Sequence, residues 1–427
     1  MLINAALILL VLLALSVPVA ATMGVLGLAL DQMYSMLPLY KASGEIFWST
    51  NTDFLLVAIP MFILLGEIML RAGMAERLYD AMEKWMGWLP GGLMHANIGA
   101  CAAFSATSGS SVATAATVGT VAIPQGERYE YAQPLFLGTL AAGGTLGILI
   151  PPSINMIIYG MLTDTSVPQL YLAGFLPGLL LALIFGLTVF ALCLLRPGWG
   201  GRRQTASWSA RLRSLKNLLP PLTIFLIVVG SIYAGVATPT EAAAVGVMAA
   251  IILAAIYRSL SLEMLREAIE GTVRTSSMVI LIILAAYFLN FVLAAIGLTD
   301  KLTSLVLSQG WTPLQTFAAV VVFYLILGCF LETLSMMVTT IPITAPLMFE
   351  LGFSPVWYGI VVMVLLEMAL ITPPVGLNLY VVQGVRSRGS LNQVLIGALP
   401  FVVAMILLII GLVLFPGIAT WLPEQFY

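Results

Sequence analysis

The sequence predicts an all-α polytopic membrane protein with two inverted-topology repeats, each holding a re-entrant helical hairpin and a broken, unwound helix. Three observations predict it. The 427 residues are 61% hydrophobic and only 8% charged, where a soluble domain carries about 25% charged residues. The basic residues cluster as they do on one side of a set of membrane spans. An apolar run interrupted by Pro-Pro with Asn and Tyr downstream also occurs twice, as LGILIPPSINMIIYG (146–160) and MALITPPVGLNLYVVQG (368–384).

The elements follow in order. Residues 1–53 read as an N-terminal span and a periplasmic loop. The run 2–29 lacks a basic leader and is too long for a signal-peptide core, so it is expected to stay as one span. The first repeat, 54–195, is expected to hold a span near 54–70 and an amphipathic lateral helix over 71–92. A hairpin over 93–124, a broken helix over 131–162 and a span over 168–195 complete it. Residues 196–275 supply a basic loop, scaffold spans at 218–236 and 241–257, and a second lateral helix over 258–274. The second repeat, 276–427, opens with a span at 276–297. A hairpin (313–349), a broken helix (356–385) and a last span (391–416) follow.

Orientation comes from the loop 196–216, which holds Arg196, Arg202, Arg203, Arg211, Arg213 and Lys216 and no acid. It is placed in the cytoplasm. If both hairpins turn back on the side they enter, 15 of the 17 Lys and Arg are cytoplasmic; only Lys41 and Lys301 lie outside. The N-terminus is then expected inside and the C-terminus outside. Pro151 and Pro373 are 222 residues apart, and the hairpin residues Ser108 and Thr333 precede them by 43 and 40. The order hairpin, broken helix, closing span therefore occurs twice in opposite orientation, the pattern of secondary transporters. A single proline kink is the competing explanation for each break, and the repeat register weakens it.

The two proline pairs in repeat register are expected to unwind their spans, and unwound backbone is tolerated at membrane depth only against protein or a watery cavity. The half-helix starting after each break offers free N–H groups to an anion, and the released carbonyls suit a hard cation. Ser153, Asn155, Thr372 and Asn378 stand beside the breaks. The first hairpin tip, SATSGSS, sets Ser105, Thr107, Ser108, Ser110 and Ser111 around Gly109. The second offers Gly328, Glu332, Thr333, Ser335, Thr339 and Thr340. Helix packing is the alternative duty for small hydroxylated residues in a membrane. Three acids fall in apolar segments: Glu67, one turn before Arg71 and so open to simple pairing, Glu332 and Glu367. The first hairpin carries no Asp, Glu, Lys or Arg, which favours Na+ over a proton there. Glu332 leaves a proton role open at the second. TPTEAAAVG (238–246) reads as a capping box with Thr238 and Glu241.

Cys101, Cys193 and Cys329 lie in apolar stretches and are expected to be free. No glycine precedes any lysine and there is one histidine, so a Walker A loop, an H-E-x-x-H site and Ser–His catalysis are all disfavoured. No enzyme activity and no nucleic-acid partner are expected.

Taken together, SATSGSSVATAATVGTVAIP, GILIPPSINMIIYG, TPTEAAAVG and ITPPVGLN resemble the large membrane subunit of TRAP (tripartite ATP-independent periplasmic) transporters, nearly end to end. The resemblance implies an elevator-type, Na+-driven importer of small organic anions in a bacterial inner membrane. It implies two partners, a small four-helix membrane subunit on a separate chain and a soluble periplasmic substrate-binding protein. It places Na+ at Ser105, Ser108 and Gly109 with Gly147 and Pro151. A second Na+ site falls at Gly328, Cys329, Glu332 and Thr333 with Thr372, Pro374 and Gly376. Substrate would lie between the tips, near Ser108, Ser110, Ser111, Ser153, Asn155, Thr333, Ser335 and Asn378. Many members carry Asp where this chain has Glu332. A stand-alone divalent-anion symporter, or less readily a passive channel or scaffold, are the other readings of this architecture.

Overall fold

The computed structural model describes residues 1–386 and 388–427. It contains twenty α-helices and, among the described residues, no strand. The first pair, α1 (Leu2–Ala14) and α2 (Val19–Tyr34), corrects the expectation of one span over 2–29. The chain reverses between them, bringing the Asn4 amide to the Tyr34 hydroxyl at 2.7 Å. The cause is local. Ser16 takes a left-handed φ of 55°, and the N–H groups of Ser16 and Val17 return to the Leu13 and Leu12 carbonyls. That is a helix-ending motif with a proline just beyond it.

The peripheral α3 (Ser43–Asn51) leads to α4 (Ala58–Arg71). Gly73, at φ 71°, separates α4 from the amphipathic α5 (Met74–Met86), which falls within the 71–92 stretch. Next come α6 (Gly92–Ser108) and α7 (Ser111–Arg128), joined by Gly109 and Ser110 and packed together. Helices α8 (Gln133–Leu149) and α9 (Ile154–Thr163) follow, bent 43° across their break. The pair is closed by α10 (Val167–Leu195).

Helix α11 (Trp208–Tyr233) starts well before its apolar run, so part of the basic loop is helical. In α12 (Pro239–Ile256) the Thr238–Glu241 capping box is present in both directions. Helix α13 (Leu262–Ala295) runs unbroken for 34 residues, about 51 Å. This corrects the separate lateral helix expected over 258–274. The stretch EGTVRTSS contains no proline and only one glycine, so nothing stops the helix between its charged and apolar halves.

After α14 (Leu298–Ser308), α15 (Pro313–Gly328) and α16 (Thr333–Glu350) form a second hairpin. Tyr324 ties its arms by bonding Thr340 at 2.7 Å. Then α17 (Pro355–Ala369) and α18 (Leu377–Val385) are separated by the second break, and α19 (Leu391–Leu414) and α20 (Gly417–Phe426) end the chain. The Pro151–Pro152 and Pro373–Pro374 peptide bonds are cis, whereas a third pair, Pro220–Pro221, sits inside the unbroken α11. Among the described residues six helices are long and apolar enough to cross a membrane, or seven counting α8–α9 as one span.

Helix α8 is the hub. Every residue from Leu135 to Leu149 is buried, and it packs against α6, α7, α10, α17 and α19. Glycines permit the closest of these approaches. A Cβ at Gly397 of α19 would land on the Pro134 carbonyl oxygen, and one at Gly138 on that of Gly397.

Candidate functional site

The first hairpin tip sits directly on the first break. Gly109 ends α6 at φ 60°, and a Cβ there would lie 3.0 Å from the Pro152 carbonyl oxygen. From the other side, a Cβ at Gly147 would lie 2.8 Å from the Ser110 carbonyl carbon and the Ser111 nitrogen. Both glycines are needed for backbone to meet backbone. The second tip repeats the arrangement. Gly328 lies against Ala369. The Cys329 sulfur lies 3.3 Å from the Pro373 carbonyl oxygen and as far from that of Leu325, so its one proton is shared between them. The structure therefore brings Ser105–Ser111 to Gly147–Pro152, and Gly328–Thr333 to the loop holding Thr372, Pro374 and Gly376.

Around the first tip, Ser110 is the N-cap of α7, accepting from the Ala113 N–H. Ser108 bonds the Thr114 hydroxyl at 2.9 Å, and Ser111 reaches the Thr145 carbonyl at 3.5 Å. Ser105 differs from all of these. It is fully buried, yet its Oγ has no partner. A hydroxyl oxygen left alone in the core, one turn below a glycine tip, fits a bound cation. At the second tip the Thr372 hydroxyl donates to Met368 O at 2.6 Å, which leaves its lone pairs free to serve as a ligand. Gly376 caps α18 at φ 53°.

Glu332 holds the N-terminus of α16. Its Oε1 accepts from the N–H and hydroxyl of Ser335 at 2.7 and 2.5 Å, and its Oε2 from the Leu334 N–H at 3.2 Å. Glu67 forms an ion pair with Arg71, which also reaches Glu267 at 3.3 Å. The simple pairing expected of Glu67 is thus present.

Both tips and both breaks open on one cavity of about 410 Å³. Ser108, Gly109, Ser110, Ser111, Asn155, Glu332 and Thr333 line it. Asn155 is buried, with its Nδ2 unpartnered. The remaining candidates lie elsewhere. Ser153 is buried as the N-cap of α9, and Ser335 is turned to Glu332. Asn378 donates to Ala141 O of α8 at 3.1 Å. None of these three is part of the wall, because each is consumed by a local helix end or by the hub.

Sequence reasoning missed the opposite wall, where Gly66 of α4 and Thr275 and Met278 of α13 face the tips. A Cβ at Gly66 would lie 2.9 Å from Ser108 O. Gly66 beside Glu67 in an apolar helix was the one available signal. A larger groove of about 480 Å³, lined by Asp53, Asp164 and Tyr287, touches neither break. Size alone does not select the site.

The family description "Tripartite ATP-independent periplasmic transporter, DctM component" matches residues 6–418. The C4-dicarboxylate TRAP transporter large permease protein DctM of Pseudomonas aeruginosa is 36% identical over 380 residues, 88% of this chain and 88% of that protein. The sialic acid TRAP transporter large permease protein SiaM of Vibrio cholerae is 32% identical over 375 residues, covering 88% and 87%. The crystal structure of the YdaH transporter of Alcanivorax borkumensis shares the fold at a TM-score of 0.65 and 15% identity, covering 90% of this chain and 89% of that one. These relatives are membrane permeases, not enzymes. The chain belongs to the family of the DctM component, the large permease of tripartite ATP-independent periplasmic transporters.

Proposed function

We propose that this chain is the large transmembrane subunit of a Na+-coupled secondary transporter of the bacterial inner membrane. It imports a small organic anion, a carboxylate or sulfonate, handed over by a periplasmic substrate-binding protein, and works beside a small four-helix membrane subunit. One observation carries the reading: two hairpin tips and two interrupted helices converge on a single cavity. Both carboxylates in its wall are already engaged, Glu67 by Arg71 and Glu332 by the start of α16. They therefore repel an anion less than free charges would.

The chemistry divides between the tips and the space between them. Neutral hydroxyls and carbonyls at Ser105, Ser108, Gly109, Gly147 and Pro151 suit Na+. So do those at Gly328, Thr333, Thr372, Pro374 and Gly376. An anion in the cavity takes hydrogen bonds from the Asn155 amide and from the N-terminal turn of α7. Sodium held where each tip meets its break would fix the two together and complete the anion's seat, which would give the two ligands the differential affinity that coupling requires. The relatives named for C4-dicarboxylate and sialic acid are in keeping with a carboxylate substrate. An elevator movement fits the cavity's position, with the hairpins and α8 on one wall and α4 and α13 on the other.

The test is uptake by proteoliposomes holding both membrane subunits and supplied with loaded binding protein. Accumulation is expected only with an inward Na+ gradient. Equal uptake with K+ in place of Na+ would overturn the coupling. Uptake of free substrate without binding protein would favour a stand-alone anion symporter.

A further inference from the structure

We infer that Glu367 is a positioning residue for the first ion site, acting from the other half of the molecule; this rests on the sodium reading above. Glu367 lies on α17, just before the second break, and is 0% exposed. Its Oε1 accepts the backbone N–H of Ile148 at 2.8 Å, across 219 residues of sequence. Its Oε2 makes no hydrogen bond of ordinary geometry; the Thr145 hydroxyl and the Leu149 N–H are the donors nearest the carboxyl besides Ile148. Among the described residues no Lys, Arg or His forms an ion pair with it. A buried carboxyl without a cation costs stability that a leucine in the same space would not. Its presence calls for a role other than packing.

The Ile148 N–H belongs to the peptide that begins with Gly147, a candidate Na+ ligand pressed against the first hairpin tip. In a trans peptide the carbonyl points opposite to the N–H. Drawing the N–H toward α17 therefore turns the Gly147 carbonyl away from α17 and fixes that peptide plane. Asn378, just past the second break, grips the same helix at Ala141 O. The second break is thus anchored to α8 on both flanks, and the first ion site is completed by a side chain from the other half.

The experiment uses the complex with its small subunit and has two readouts. One is the rise in melting temperature caused by Na+ relative to K+ at equal ionic strength; the other is half-saturating Na+ for uptake. Glu367→Gln keeps the oxygen that accepts from Ile148, and Glu367→Leu removes it at similar volume. Half-saturating Na+ should stay within about threefold of the parent in Glu367→Gln and rise about tenfold in Glu367→Leu, as loss of a strong hydrogen bond predicts. The Leu variant should also lose most of its Na+-induced stabilisation and recover uptake at saturating Na+.

Parental Na+ dependence in a folded Glu367→Leu overturns the assignment, as does a Gln variant impaired as badly as Leu. Should Leu not fold, Glu367→Met serves in its place; failure of both to fold makes the role structural and also overturns it. A parent whose melting and uptake both ignore Na+ overturns the sodium reading instead.

Discussion

At Gly109 a side chain has almost no room: φ is 60° and the Pro152 oxygen lies 3.0 Å from where a Cβ would stand. The hydroxyls packed around that turn have divided their work. Ser110 caps α7, Ser108 pairs with Thr114, and only Ser105 is left buried without a partner. Ser108→Ala should raise half-saturating Na+ by roughly tenfold while changing folding stability by no more than about 1 kcal/mol, since Thr114 keeps its bond to Ser110 O. Uptake titrations in Na+ at matched protein levels check this, and identical curves for variant and parent would refute it. The crowding of hydroxyls about a glycine was visible in the sequence, because that composition suits neither a spanning helix nor a water-exposed loop. The use of Glu332 as an N-cap was not, because Glu lies outside the usual capping set of Ser, Thr, Asp and Asn. The inward turn of Asn378 toward Ala141 was also hidden, since nothing local marks which face of a short half-helix meets the hub.

Among the elements, α8 decides the geometry of the site, since it ends at the first break and receives side chains from both flanks of the second. Its contact with α19 depends on glycine. Gly397→Ala would drive a methyl into the Pro134 carbonyl and should cost about 3 kcal/mol or more. Gly24→Ala, on α2 with open space around it, should be neutral or stabilising by up to about 1 kcal/mol. Melting of the two purified variants checks the pair; a Gly397→Ala protein as stable as the parent would contradict this packing. Both breaks were readable at this scale from the repeat register of two Pro-Pro pairs rather than from the prolines alone, since Pro220–Pro221 leaves α11 continuous. The turn after α1 was not read, although Ser-Val-Pro marks a helix stop, because hydropathy runs through it unchanged. The continuity of α13 was missed for the opposite reason. A change from charged to apolar composition looks like a boundary, but helical hydrogen bonding does not stop there.

Across the whole molecule, the basic residues argued for orientation more strongly than any single span. Of 17 Lys and Arg, only Lys41 and Lys301 were expected outside. Cysteines placed at Arg202 and Lys301 in a cysteine-free background should label from opposite sides of the membrane. Labelling of both from one side would break the topology. The fold back of α1 on α2 sets Asn4 beside Tyr34, so an N-terminal tag should be accessible from the same face as Lys301. A tag reached from the face of Arg202 instead would restore the cytoplasmic N-terminus expected from a single first span. The central claim is that sodium and an organic anion cross together through the cavity between the tips. Its most direct test is simultaneous influx of radioactive Na+ and labelled anion into vesicles holding both membrane subunits and charged with binding protein. The two fluxes should appear together and stop together when either solute, or the loaded binding protein, is left out. Anion influx that continues with no accompanying Na+ influx would contradict the account.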